Sequence, residues 1–321
     1  MAFPKTKAEA LTTLAENIKT LKHGHNFGNL GSDFVTRAIN QLTSAQANLP
    51  PKEKATVLTA LAKTITSLPE EQKRVAFYQT MVRMNRLRNE DKGAALAVLA
   101  RQIRILPEPV KSEAFGVLIN TAQYMPDQQK VVFFNDLTEC ITNKFITING
   151  NKSNNLMGII NWGMRPSDAF DLILKATETI SVDTTSVLEK VALASFKLPE
   201  PDCINLLQRT LDQTENISGK SKAYLLQQVT KNTNGLSEGM QSALFNGVLK
   251  AGTNLHDVLK GAALQNLPRI LPSMPKSERN MAATRFLNEV NSLVSNTEQL
   301  NLLISVVNSP ILPSLNENDR F

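Results

Sequence analysis

Three stretches of the chain decide its fold: LPEEQKRVAF at 68–77, LPEPVKSEAF at 106–115 and MPDQQKVVFF at 125–134. Each opens on an apolar residue followed by proline and closes on Phe77, Phe115 or Phe134. An earlier copy, LPPKEKATVL at 49–58, holds Leu58 in the phenylalanine slot. Successive starts therefore fall about 19 residues apart, or twice that, which is the length of one helix and its turn. Proline cannot continue a helix but fits its start, where an N–H would have no partner, and the residue before it is pushed out of helical geometry. The leucine-proline pair thus ends one helix and begins the next. Glu70, Glu71, Glu108, Asp127 and Glu200 lie just inside such starts. There the positive end of the helix dipole favours a carboxylate by about 0.3 kcal/mol or a little more.

The rest of the chain follows the same period. Lys5 to Lys22 reads as a first helix with Ala10, Leu11, Leu14 and Ile18 on one face. Ser32 is the expected N-cap of a second helix, and a proline-free start near Asn89 opens another. ITINGNKSNN, at 146–155, breaks the pattern with Asn149-Gly150 and reads as an inserted loop, followed by a short helix around Trp162. Further starts are predicted near Pro166, Asp183, Pro199, Ser218, Ser237, Asn254, Pro275 and Asn296. This amounts to about sixteen helices, or about eight antiparallel hairpins of about 38 residues. Residues 1–308 are expected to form a single domain, and 309–321 a tail. Phe77, Phe115 and Phe134, at a constant offset from their prolines, are expected to form a core ladder between stacked hairpins.

Paired helices opened by such phrases resemble the HEAT and armadillo class of repeat proteins. The resemblance implies an all-α, right-handed α-solenoid of antiparallel helix hairpins and an extended surface for partners. A narrower resemblance, carried only by the three quoted phrases, is to α-solenoid effectors that bacteria deliver through type III secretion. It implies a virulence factor that binds a host protein.

Length suits two ordinary domains or one repeat array, whose core grows by stacking. No run of about 18 apolar residues suggests a membrane span, and the start MAFPKTKAEA lacks the apolar core of a cleavable signal. The expected location is cytoplasmic, or inside a host cell after export without such a signal. Two cysteines, Cys140 and Cys203, do not make a disulfide framework. The net charge of +6 favours an acidic partner.

Candidate chemistry is sparse. His23 and His25 form a pair in the first loop with no third metal ligand nearby, so neither a metal nor a cofactor is expected. Cys203 follows Asp202 near a helix start, where a dipole favours a thiolate, yet His256 lies about three helices further on; a small buried residue is the better reading. His256 reads as a helix-start residue. No nucleotide-binding, zincin or hydrolase signature occurs. The basic stretch from Lys73 to Arg104 offers Lys73, Arg74, Arg83, Arg86, Arg101 and Arg104 as a binding patch, with Arg83 and Arg86, and Arg101 and Arg104, each three apart on a helix. Besides Phe77, already placed in the core ladder, Tyr78 is the aromatic residue within it. The expected function is a non-enzymatic, monomeric scaffold that grips a protein partner. The alternative is a HEAT-like nucleic-acid binder that uses the patch at 73–104.

Overall fold

The structure, a computed structural model, describes residues 4–18, 30–107, 110–147 and 164–309. It is all-α, with no strand among the described residues. Two compact units divide it, Met1–Ala176 and Thr177–Phe321.

In the first unit the helices are α1 (Pro4–Asn17), α2 (Leu30–Ala45), α3 (Pro51–Thr64), α4 (Glu70–Met84), α5 (Gly93–Gln102), α6 (Val110–Ala122) and α7 (Asp127–Thr147), with α8 (Pro166–Thr177) at its end. Sequence neighbours pack as hairpins, α1 on α2, α3 on α4 and α5 on α6. Alternate helices also pack, α1 on α3, α3 on α5 and α5 on α7, so the odd-numbered helices form one layer, while α2 on α4 begins another.

The second unit repeats this grammar with α9 (Thr185–Ser195), α10 (Glu200–Asp212), α11 (Gly219–Lys231), α12 (Glu238–Gly252), α13 (Asp257–Leu264), α14 (Lys276–Asn291) and α15 (Asn296–Val307). The odd layer runs α9, α11, α13, α15 and the even layer α10, α12, α14. Side-chain bonds link the layers' successive helices at nearly constant sequence separation. Thr66 Oγ1 bonds Gln102 Oε1 (2.6 Å, 36 residues apart), Gln129 Nε2 donates to the Glu90 carbonyl (2.7 Å, 39 apart), Thr177 Oγ1 bonds Gln213 Oε1 (3.0 Å, 36 apart) and Ser237 Oγ bonds Glu200 Oε2 (2.9 Å, 37 apart).

The opening phrase explains the links. Pro50, Pro69, Pro199 and Pro275 sit at the N-cap with extended ψ of 153°, 151°, 148° and 135°. Before them Leu49, Leu68, Leu198 and Met274 are buried, so the residue that the proline forces out of the helix becomes a core anchor. Where serine replaces proline it caps by bonding: Ser218 Oγ accepts from Ser221 N, Ser237 Oγ from Met240 N (both 3.2 Å) and Ser295 Oγ from Glu298 N (3.4 Å). His256 is likewise the extended residue that opens α13.

Two later positions of the phrase recur. Eight residues after the cap lies the core slot, and Leu58, Phe77, Phe115, Phe134, Leu207, Leu226, Phe245 and Leu264 are all buried there. In α15 the slot falls on Leu303, which is 40% exposed. Four residues after the cap lies a long polar side chain whose stem is covered: Lys111, Lys130, Lys222, Gln241 and Lys260 are buried. Their heads turn to nearby acceptors, as in Lys130 Nζ to Asp127 Oδ1 (2.8 Å), Lys260 Nζ to Glu289 Oε2 (2.9 Å) and Gln241 Nε2 to the Leu236 carbonyl (3.0 Å). Burying an alkyl stem while satisfying its head lets a charged residue contribute apolar area at a helix junction.

Several boundaries differ from expectation. Ser32 lies inside α2, because the helix begins two residues earlier at Leu30. The start near Asn89 resolves into a 3-10 turn, Asn89–Asp91, before α5, since the tighter turn lets Lys92 fold back on Asn89 Oδ1 (3.0 Å). The loop expected from Ile146 starts later, because α7 continues to Thr147. Residues 148–163, with the rest of that loop, the short helix and Trp162, fall outside the described residues, as do His23, His25 and the tail from 310.

Asp183 shows how the junctions are tuned. It precedes α9 and accepts from Thr185 N (2.8 Å), from the Thr185 hydroxyl and from Ser221 Oγ on α11 (2.7 Å). Burial opposes its charge, but the three donors outweigh that and hold its carboxyl below the ordinary aspartate value. A depressed folded pKa gives stability that is present above the unfolded pKa of about 4 and lost as pH falls through the folded value. Asp183→Ala is expected to cost about 0.5–1 kcal/mol at neutral pH, kept small by solvent screening. Urea titrations should show the gap to wild type narrowing below about pH 4; a gap that is the same at pH 7 and pH 3 would remove the charge from the account.

Candidate functional site

The odd layer of the first unit carries a groove of about 850 Å³ that crosses α1, α3, α5 and α7. From α3 it takes Lys52, Ala55, Thr56, Thr59 and Lys63, whose spacing keeps them on one helical face. From α5 come Gly93, Ala94, Ala97 and Arg101, and from α7 Gln129, Val132 and Asp136. The middle is built from short side chains because α5 has nothing longer than valine between Gly93 and Val98 except the buried Leu96. At Gly93 an added Cβ would fall 2.7 Å from Gln129 Oε1, so a larger residue would displace the end of the Gln129 side chain. Val132 stands 57% exposed on the α7 side.

The groove's charges are mixed. Arg101 Nη2 bonds Asp136 Oδ2 at 3.0 Å, and Arg88 engages Glu90 (3.4 Å) and Asp91 (3.1 Å). Lys52 and Lys63 are exposed and form no ion pair among the described residues. Glu16 lies on α1, one helix beyond α3.

The basic residues picked out by sequence are distributed rather than gathered. Arg101 faces the groove, committed to Asp136. Arg83, in the last turn of α4, and the exposed Arg86 just after it precede α5, whereas Arg101 lies in its last turn; α5 spans about 15 Å between them. Arg74 is exposed on α4. Lys73 is half-buried at the fourth position after Pro69, where the chain uses long polar residues as junction fillers. The side chain of Arg104 is outside the described residues. Tyr78 is half-buried and packs edge-on against Phe77 (5.7 Å between centroids), and burial, helped by Glu113, pushes its hydroxyl up to about 12. The signal for the groove, short residues at helical spacing on alternate helices, was in the sequence, but which face it occupies depends on the layer order.

Cys203 is fully buried in α10 with Ser195 Oγ 4.0 Å from its sulfur. Burial pushes its thiol up to about 11. Among the described residues no three His, Cys, Asp or Glu side chains gather as a metal site, and no helix is long and apolar enough to cross a membrane. A second, smaller groove of about 570 Å³ lies between α13 and α15, again on the odd layer, lined by Val258, Gly261, Glu298 and Leu302 among others.

No family model and no curated protein matches the chain. It is similar to a solved structure titled "Computational Design of Self-Assembling Cyclic Protein Homooligomers", at 12% identity over 95% of this chain and 98% of that one, with a TM-score of 0.20. A superposition of that quality does not amount to a shared fold.

Proposed function

We propose that the chain is a non-enzymatic helical-repeat protein, an α-solenoid of antiparallel hairpins about 38 residues long, and that it binds a protein partner along its odd-numbered helices. The recurring cap, polar filler and core slot support the repeat, as do inter-helix bonds separated by 36, 39, 36 and 37 residues. The observation that carries the function is the groove across α1, α3, α5 and α7, about 850 Å³ in volume with a small-residue middle. Its lining holds Lys52, Lys63 and Arg101 against Glu16, Glu90, Asp91 and Asp136. That balance suits a protein surface better than a polyphosphate, which needs a clear excess of cations.

The test is comparative. Affinity capture with wild type and with Ala94→Trp, which fills the groove from an exposed position, should yield partners that the variant loses. Identical capture by both overturns the groove as the binding surface. A gel shift with single-stranded RNA at 50 and 200 mM salt addresses the nucleic-acid alternative: tight binding that collapses at the higher salt would favour it.

A further inference from the structure

The last described helix, α15, turns its apolar face outward. Leu300, Leu303, Ile304 and Val307 follow the i, i+3, i+4, i+7 spacing by which a helix faces a core, yet they are 58%, 40%, 47% and 64% exposed. On the opposite side of α15, Leu302 is buried and Glu298 lies against Gly261 of α13. The register of the other helices shows where the outward face points. In α12 and α13 the fifth residue after the cap meets the next helix of its own layer, Ser242 donating to Glu278 of α14 and Gly261 meeting Glu298 of α15. In α10 and α11 the twelfth does the same, Leu211 packing against Gly247 and Thr230 Oγ1 accepting from Asn266 (3.4 Å). Counted from the Ser295 cap, those positions in α15 are Leu300 and Val307. In α11 and α13 they are small and covered, as with Ala223, Thr230 and Gly261. A stack that met water here would carry polar residues instead.

We propose that a second copy of this chain covers the stripe, with α15 lying antiparallel on its counterpart across a twofold axis. The protein is then a dimer and not the monomer expected from its sequence. With the axis between positions 303 and 304, Leu300 comes opposite Val307 of the second copy, and Leu303 opposite Ile304. Each contact sets a γ-branched side chain against a β-branched one, so the stripe complements itself as an isologous contact requires. Charge points the same way. No ionisable side chain occurs from 299 to 316, and copies with a net charge of +6 meet with least repulsion on a neutral face. A helix made for a membrane surface would flank its apolar face with lysine or arginine, which this one lacks. Covering the four side chains and the exposed Asn301 and Asn308 beside them removes roughly 500–600 Å² from each copy, or about 1,000–1,200 Å² in all, the lower end for a stable dimer. LPSLNENDRF at 312–321 carries the opening phrase one period on, by count an even-numbered start, whereas Leu300 and Val307 face along the odd layer.

Sedimentation velocity of the full chain in reducing buffer, from about 1 to 200 µM, should show the mass rising from monomer to dimer with a midpoint of about 1–100 µM. Leu300→Glu and Val307→Lys, each alone, should weaken association at least tenfold. An equimolar mixture of the two should regain it, because the antiparallel pair sets the new carboxylate opposite the new ammonium and keeps leucine on valine at the other contact. The substituted residues are exposed, so the fold is left in place. Ile304→Glu with Leu303→Lys repeats the test at the central contact if either variant does not fold. A chain that stays monomeric at the top of that range overturns the proposal. So does association that the single variants leave unchanged, or that their mixture fails to restore. If the full chain is monomeric while a chain ending at Ser309 dimerises through the same residues, the segment 310–321 is the occupant and the second copy is overturned.

Discussion

Replacing Phe115 by alanine is expected to lower the free energy of unfolding by about 3–5 kcal/mol. The ring has no exposed surface, and it lies eight residues after Pro107, in the slot that is filled by buried side chains from Leu58 to Leu264. Truncation there removes burial worth about 1.5–3 kcal/mol and leaves a cavity between helices that cannot close without breaking the register on both sides. Denaturant titrations should show the midpoint falling with the slope unchanged. Leu303→Ala, in the equivalent but 40% exposed slot of α15, should cost much less. Equal losses at the two sites would mean that the shared offset has no bearing on how the helices pack.

That contrast shows why the fold was legible in the sequence. Proline at 50, 69, 199 and 275 acts through its own covalent geometry, so the helix starts can be read without knowing any neighbour. The serine caps at 218 and 237 act equally locally, and both accept the expected backbone N–H. The phenylalanine slot is one step less local: a fixed offset from the cap fixes the face, and the face must be the buried one if stacked units are to share a core. The fifth residue after the apolar anchor was equally visible as Lys73, Lys111 and Lys130 in the quoted phrases. Its role as a covered junction residue depends on contacts with the preceding turn, which periodicity alone does not supply.

The candidate site was less legible because it depends on which helices lie side by side. Arg83, Arg86 and Arg101 are close in sequence, yet the hairpin sends Arg101 to the far end of α5, where Asp136 of α7, 35 residues on, neutralises it. The groove is assembled from Thr59, Ala97 and Val132, residues that look unremarkable singly and acquire meaning only when alternate helices align them. Charge counting over a linear window therefore located basic residues but not the surface on which they act.

Cys203 is expected to react with Ellman's reagent at least about a hundredfold more slowly in the native protein at pH 8 than in guanidinium. Two effects act together. Burial pushes the thiol up to about 11, with the nearby Glu200 adding to the rise and the Ser195 hydroxyl opposing it, so the thiolate is about a hundredfold scarcer than for a free cysteine. The side chain also has no exposed surface, so the reagent must wait for a local opening of α9 against α10. Measuring in a Cys140→Ser background isolates the signal, because Cys140 on α7 is half-buried and contributes its own phase. A helix N-terminus taken alone favours the thiolate, and Asp202-Cys203 stands three and four residues beyond the Pro199 cap. The structure shows the opposing factor to be larger, since the sulfur points into the α9–α10 core rather than toward the free amide groups. Rapid native labelling, with a pH midpoint near 7, would reverse that ordering and make Cys203 a nucleophile to be accounted for.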